Sequence, residues 1–420
     1  MRLLIVLHQF YPEFSSGTER VALNLAKAAQ RAGHYVRVLA CAVNPEATQG
    51  AASAALAGAL DYVWEGVPVT LLPRALLPAS ADYSLDVAAE MVGPLAAWMA
   101  QERFELAHVM HTMRMGTAVA AVQQCGLPYI LTLTDFFLAC PRINLVTIDN
   151  HLCDGPQGGK KCGKDCLNAP WSRETLMHRY ESAQQILAGA SVRVAPSEFV
   201  AARYRAAFAD CRVMVVAHGV DLLALMAHEA PSRAATHTLA LGTVTLGYVG
   251  SIIPQKGLAV LLRALAKVKA PTLRLKVVGG FYGADAYRQE VMALVKADSR
   301  VELLGHLEAD KVYMAIGQMD VLCLPSQVPE TFSLALHEAA ALGVPALVSD
   351  LGAPGLQVAA HGGGQVVACS DVAAWATAIQ VLAQEPAQIA RWQARLPLPV
   401  RLEEEAFFYD SLYRTVLHPA

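Results

Sequence analysis

The segment Pro329-Glu330-Thr331-Phe332-Ser333-Leu334-Ala335-Leu336-His337-Glu338-Ala339 places two carboxylates eight positions apart. Glu330 reads as a loop residue just before a helix, and Glu338 as a residue inside it. Gly343 then stops the helix and Pro345 opens an apolar strand. The first N–H groups of a helix are unpaired and its dipole favours negative charge, so a helix start is an anion site. Carboxylates on both sides would repel a bare phosphate. They suit a ligand that carries phosphate and sugar hydroxyls together, each Glu accepting from hydroxyls, which is the chemistry of a nucleotide sugar. The plainer alternative is an amphipathic helix with two solvated acids.

A second segment, Tyr248-Val249-Gly250-Ser251-Ile252-Ile253-Pro254-Gln255-Lys256-Gly257-Leu258, ends a strand at Gly250 and sets Lys256 at a helix entrance. A point cation there can neutralise a diphosphate together with the helix N-terminus. The dipole disfavours a Lys at that place, which argues for an anionic partner over a merely exposed side chain. Gly17, in Ser15-Ser16-Gly17-Thr18-Glu19-Arg20 after the first strand, lets backbone approach a ligand closely. His108 and His111 lie at the end of another apolar strand and could line a site, although a lone His beside such a strand is more often structural. The group Cys140-x12-Cys153-x8-Cys162-x3-Cys166 is dense against otherwise scattered cysteines and carries Lys160, Lys161 and Lys164. Four thiols could hold a structural zinc and pin a polar loop; free thiols or disulfides are the alternatives.

The elements that must position these residues alternate strand and helix. Strands are expected at 2–7, 35–40, 107–110 and 129–133, with a helix after Gly17 that keeps Val21, Leu25, Ala28 and Ala32 on one face. The Ala-rich run 51–60 has no clear place. The pattern restarts with strands at 213–217, 246–250, 273–278, 301–304, 321–324 and 346–349, a helix over 258–267, and a loose stretch to about Leu239. Such alternation implies doubly wound parallel sheets. At 420 residues the chain has room for two or three domains. It is 55% hydrophobic and 16% charged, with a mean hydropathy of +0.35, much of the excess being alanine. No segment of about 18 or more apolar residues lacks Gly, Pro or charge, so no transmembrane helix is expected. Residues 1–7 read as a first buried strand, too short and without the cleavage site of a signal peptide. A net charge of −3 argues against a nucleic-acid binder, and nine mostly scattered cysteines suit a reducing compartment.

These segments together resemble glycosyltransferase family 4 over nearly the whole chain. Glu330 and Glu338 match the family's E-x7-E element, Gly250 to Gly257 its G-R/S-x4-K-G loop, and Ser16-Gly17 its N-terminal loop, usually with two glycines. The resemblance implies the GT-B fold: α/β, with two Rossmann-like doubly wound domains and a cleft between them. The N-terminal, acceptor-binding domain would span 1–217 and the nucleotide-sugar-binding domain 218–400. The acidic-aromatic stretch within 401–420 would be a helix crossing back to the first domain. The implied activity is retaining transfer of a sugar from a UDP-, GDP- or ADP-linked donor to a saccharide or lipid-linked hydroxyl acceptor. Lys256, Glu330 and Asp135 would be catalytic. Gly17, Gly250, Ser251, Lys256, Glu330, the backbone of Phe332, Ser333 and Leu334, and Glu338 on the ribose would hold the donor, with the base near Gly280 and His306. No cofactor would be required, structural zinc apart. Ser251 replaces an Arg that many members carry, and Thr134 replaces the His of a His-Asp pair whose Asp135 is kept. Those departures favour one alternative, a non-catalytic nucleotide-sugar or glycan-binding protein; a second alternative, an epimerase on the same fold, would need acid/base residues on both sides of the sugar, and the sequence offers no such set. Members with this layout often build cell-surface polysaccharides or glycolipids from the cytoplasm, some at the inner membrane face, so peripheral membrane association is expected and nucleic acid is not.

Overall fold

The computed structural model describes residues 1–44, 50–149, 151–167, 171–222 and 242–419; the loose stretch expected up to Leu239 lies outside them from residue 223 on. The chain divides into two compact units. One comprises Met1–His218 with Glu403–Ala420, the other Gly219–Leu402.

The first unit is built on strands β1 (Arg2–Val6), β2 (Tyr35–Ala42), β3 (Ala51–Ala52), β4 (Leu60–Trp64), β5 (Val67–Pro73), β6 (Leu106–Val109), β7 (Tyr129–Thr132), β8 (Val192–Ala195) and β9 (Met214–Val215). They form one sheet in the order β3-β4-β5-β2-β1-β6-β7-β8-β9. From β5 to β9 every neighbouring pair is parallel. Leu3, Leu4, Ile5 and Val6 are all buried, as expected for a strand with helices on both faces. Those helices are α1 (Gly17–Arg31), α2 (Ala89–Gln101), α3 (Gly116–Gln124), α4 (Arg173–Gly189) and α5 (Glu198–Ala207). The Ala-rich run resolves into an antiparallel edge, with β3 on β4 and β4 on β5. Glu65 and Gly66 close that β4–β5 hairpin with φ of 45° and 82°, the double positive φ that a tight two-residue turn requires.

The second unit carries six parallel strands: β10 (Val244–Val249), β11 (Leu273–Val278), β12 (Val301–Gly305), β13 (Val321–Leu324), β14 (Ala346–Ser349) and β15 (Gly364–Val367). Their order is β12-β11-β10-β13-β14-β15. Helices α6 (Leu258–Lys267), α7 (Asp285–Ala297), α8 (Ala309–Gly317), α9 (Leu334–Ala341), α10 (Gly352–His361), α11 (Val372–Gln384) and α12 (Ala387–Gln393) complete it.

In each sheet the strand order reverses at one place, between β1 and β6 and between β10 and β13. Loops leaving the carboxyl ends of strands diverge there, and open α/β sheets bind ligands at such points. The last helix, α13 (Leu402–Leu417), contributes to the first unit's core from Glu403 onward. Tyr409 and Tyr413 are buried, and their hydroxyls reach Thr132 Oγ1 at 3.2 Å and His108 Nδ1 at 2.8 Å. His108 Nε2 meets the same Thr132 hydroxyl at 2.7 Å. Burial, then His218, pushes the His108 pKa down to about 3, so the ring is neutral and structural.

Candidate functional site

In the second unit the chain leaves β10 through Gly250, at φ +152°, and Ser251, whose carbonyl accepts from the Tyr248 hydroxyl at 2.8 Å. Burial, with Tyr287 and Glu330 acting the same way, pushes the Tyr248 phenol well up, so it stays a donor. One 3₁₀ turn, Pro254–Lys256, leads to Gly257 at φ +71° and then α6. A Cβ at Gly257 would lie 1.9 Å from the Pro325 carbonyl, so backbone packs directly on backbone there. That approach brings Lys256 to the loop after β13, where its Nζ stands 3.0 Å from Glu330 Oε1. The Ser326 hydroxyl donates to the same carboxylate oxygen. Glu330 is held from behind by Gly352: Ala353 N–H donates to the Glu330 carbonyl at 2.8 Å, and a Cβ at Gly352 would come within 2.3 Å of Glu330 N and O.

The helix expected near Phe332 begins at Leu334, with Ser333 as its N-cap at φ +76°, ψ +91°. A serine in that conformation is strained, and its surroundings hold it. The Ser333 hydroxyl accepts from Leu336 N–H at 3.4 Å. The Ser333 carbonyl accepts from His337 Nδ1 at 2.9 Å, and the His337 ring stacks on Phe332 at 4.0 Å and 3°. His337 is a residue that sequence reasoning passed over; its signal is the four-residue spacing to Ser333, one helical turn. Glu338 is buried in α9. Beside these loops, Gly279 N–H donates to the Gly305 carbonyl at 2.8 Å and Ile252 N–H to the Gly280 carbonyl at 2.8 Å. A Cβ at Gly279 would meet the Gly250 carbonyl at 1.9 Å. The ends of β10, β11 and β12 are thereby tied together, with Gly280 among them and His306 exposed next to Gly305. The arrangement offers two helix N-termini, one ammonium and one carboxylate around a glycine-lined backbone.

In the first unit, Gly17 is the exposed first residue of α1, behind the N-cap Ser16. Asp135 follows β7. Its Oδ1 accepts from Phe137 N–H at 2.8 Å and its Oδ2 meets His111 Nε2 at 2.6 Å. Thr134, in place of the expected His, turns its hydroxyl to the Met110 carbonyl at 3.0 Å. His111, expected more often to be structural, reaches Asp135 from the neighbouring strand end.

The four cysteines, read as a structural zinc site, free thiols or disulfides, form no disulfide. Cys140, Cys162 and Cys166 are buried and Cys153 partly so. Among the described residues no group of three or more His, Cys, Asp or Glu is gathered to hold a metal ion. Burial is the main cause that pushes Cys140 up to about 11 and Cys162 to about 12, and the neighbouring thiols raise Cys162 further, so the protonated forms are favoured. The loop has other anchors. Cys153 N–H donates to the Leu145 carbonyl at 2.8 Å, and the buried Arg179 donates to the carbonyls of Phe137, Leu138 and Tyr83.

Residues 15–222 match the family described as Glycosyltransferase Family 4, and residues 243–385 the domain described as Glycosyl transferases group 1. The chain belongs to glycosyltransferase family 4. The family 4 chain is 32% identical over 194 residues to the D-inositol 3-phosphate glycosyltransferase of Rhodococcus opacus, covering 44% of this chain and 43% of that protein. It is 29% identical over 188 residues to the enzyme of the same name from Mycolicibacterium smegmatis, with coverage of 44% and 43%. The aligned segments thus span less than half the length of these curated relatives. Among solved structures, sucrose-phosphate synthase from Thermosynechococcus elongatus superposes with a TM-score of 0.74 at 19% identity, over 100% of both chains. Anabaena HepE in complex with UDP and glucose gives 0.70 at 17% identity, over 99% of this chain and 100% of that one. WaaG, a glycosyltransferase involved in lipopolysaccharide biosynthesis, gives 0.64 at 14% identity, over 100% of both. These likenesses establish the GT-B fold.

Proposed function

We propose that the protein is a retaining transferase that moves a sugar from a nucleotide diphosphate sugar to a hydroxyl acceptor. The observation that carries this reading is Lys256 paired with Glu330 beside the N-terminus of α9. With donor bound, the leaving diphosphate faces Lys256 and the N–H groups of Phe332, Ser333 and Leu334, which stabilise the charge that develops on it. Glu330 then exchanges its ion pair for the sugar hydroxyls, and Glu338 takes the ribose. Gly250 and Ser251 approach the phosphates, and the base lies against Gly280 and His306. By the family's chemistry the acceptor attacks on the face the leaving group vacates, and a donor phosphate oxygen receives its proton. Asp135 orients the acceptor hydroxyl, and no metal is assigned to the diphosphate.

UDP is the first nucleotide to test, because the Anabaena relative was solved with UDP and with UDP-glucose. A thermal-shift screen of UDP, GDP and ADP selects the nucleotide, since a ligand of the native state raises its stability. Nucleotide release from the matching sugars then separates a transferase from the second reading, a nucleotide-sugar binder, which Ser251 favours and which releases none. For the acceptor we infer a saccharide, free or lipid-linked. No helix among the described residues is long and apolar enough to cross a membrane. Lys160 and Lys164 are exposed, while Lys161 is paired with Asp154 at 2.6 Å. Each free lysine adds about 1 kcal/mol of attraction to an anionic surface. Salt-sensitive co-sedimentation with phosphatidylserine vesicles, lost in a Lys160/Lys164→Ala variant, tests a lipid-linked acceptor.

A further inference from the structure

The start of α9 is built on a backbone conformation that serine rarely adopts. Ser333 lies at φ +76°, ψ +91°, where a residue with a Cβ is strained. N-cap residues ordinarily stay extended, as Ser16, Ser172 and Ser197 do in this chain with φ of −82°, −95° and −152°. The Ser333 hydroxyl meets Leu336 N–H only at 3.4 Å, a long bond. The shorter contact comes from one turn along the helix, where His337 Nδ1 stands 2.9 Å from the Ser333 carbonyl. A carbonyl only accepts, so His337 carries its hydrogen on Nδ1. Its Nε2 is left to accept, and the Gln357 amide nitrogen of α10 lies 3.4 Å from it. Phe332, which is buried, steadies the ring by stacking on it at 4.0 Å and 3°.

The bond from His337 fixes more than the carbonyl it reaches. In a trans peptide the C=O and the following N–H point in opposite directions. Holding the Ser333 carbonyl toward His337, along the helix, therefore aims Leu334 N–H out of the N-terminus. That is the direction in which a helix end meets an anion. Without the bond, relief of the strain at Ser333 rotates the same peptide, and Leu334 N–H loses its aim. The imidazole itself adds no charge in this arrangement, because Nε2 accepts and Nδ1 is committed to the carbonyl. Its effect on an anion is one of orientation alone.

We propose that His337 is a positioning residue for the donor diphosphate: through the Ser333 carbonyl it sets the direction of Leu334 N–H at the head of α9. This role rests on the donor reading above, in which that N–H faces the leaving group, and it gives His337 no contact with donor or acceptor. The Phe332 ring keeps the imidazole in place, and the hydrogen bond does the aiming.

Two probes on the whole protein test it: UDP by calorimetric titration, and uridine, which lacks the diphosphate, by saturation-transfer NMR. His337→Phe keeps the stack on Phe332 and removes the N–H. It weakens UDP binding about tenfold or more, the worth of one hydrogen bond to a charged group. Uridine binding stays within about twofold of the parent, a split that a general loss of structure does not produce. His337→Asn loses the ring but offers an amide N–H at the reach of Nδ1, and recovers most of the UDP affinity. Glycine takes up positive φ freely, so in a Ser333→Gly background His337→Phe costs about threefold or less. That coupling between the two positions marks a shared backbone role. Isotope labelling of the histidine nitrogens also reads the ring directly and finds the hydrogen on Nδ1, the signal being assigned by its loss in His337→Phe. Equal losses for UDP and uridine, a loss in His337→Asn as large as in His337→Phe, an undiminished effect in Ser333→Gly, or the hydrogen on Nε2 overturns the proposal. A native protein that binds none of UDP, GDP and ADP defeats the donor reading, and this role falls with it. A native protein that binds UDP no better than His337→Phe does defeats the role alone.

Discussion

Replacing Lys256 by Ala separates catalysis from stability, because the structure assigns the two effects different sizes. The Lys256 side chain is 36% exposed, and an ion pair so placed contributes about 0.2–1 kcal/mol. Glu330, 10% exposed, loses a partner but keeps the Ser326 hydroxyl, which adds about 1 kcal/mol of unsatisfied carboxylate at most. For a unit of this size, 1–2 kcal/mol corresponds to a fall in Tm of roughly 2–8 °C. The protein therefore stays folded at assay temperature. Loss of one preorganised contact to developing charge is far larger in rate, about 2.7–4 kcal/mol or a hundred- to thousandfold in kcat. Steady-state nucleotide release at saturating donor gives the rate, and urea unfolding gives the stability. Lys256→Arg keeps the charge on a wider, planar head and should recover part of the rate. A Lys256→Ala protein that unfolds normally and turns over within a few-fold of the parent would refute the assignment of Lys256 to the leaving group, and with it the account of the second-unit site.

Three further outcomes are expected. Glu330→Gln should mainly lower kcat and Glu338→Gln mainly weaken nucleotide binding, read from kcat and from UDP titration; equal donor kinetics in both variants would contradict their separate roles. Because burial depresses His108 to about 3 against 6.5 in the unfolded chain, the unfolded state binds more protons between those values. Its stabilising contribution is complete above pH 6.5 and should shrink by about 2 kcal/mol from pH 7 to pH 5. His108→Gln should lose that increment when urea unfolding is compared at the two pH values. Transfer should survive EDTA, and elemental analysis of protein purified without added metal should find no zinc at Cys140, Cys153, Cys162 and Cys166, with all four thiols titratable after unfolding; one equivalent of zinc lost in Cys162→Ser/Cys166→Ser would reverse that view.

Legibility in the sequence followed the range of the interactions. The helix expected over 258–267 is found at Leu258–Lys267, because a left-handed glycine before it and an extended Val268 after it are local signals. Buried parallel strands are continuous apolar runs and were readable for the same reason. The β3–β4–β5 edge was not, although Glu65-Gly66 holds its turn signal: the alanines of β3 carry little strand preference, and Pro68 interrupts the apolar run of β5. The meeting of His111 with Asp135 depends on β6 lying beside β7 in one register, Val109 opposite Leu131. No local pattern states that, so His111 looked like an isolated strand-end histidine. The cysteine spacing was visible, but one anchor beside the loop is Arg179 of the following helix α4, which reaches back 41 and 42 residues to the carbonyls of Leu138 and Phe137.

The first unit is not continuous in sequence, and that governs how it can be made. A ribosome releases His108 and Thr132 before the second unit, whereas Tyr409 and Tyr413, which close over them, leave only after it. Between the two, Gly219–Leu402 must be synthesised, roughly 10–40 s of elongation at about 5–20 residues per second. That intervening stretch is a complete unit and can fold as soon as it emerges. The usual order of assembly is thereby reversed: the unit begun first is finished last, and a transcript cut short after the second unit yields a nascent chain whose amino-terminal half still has an open core.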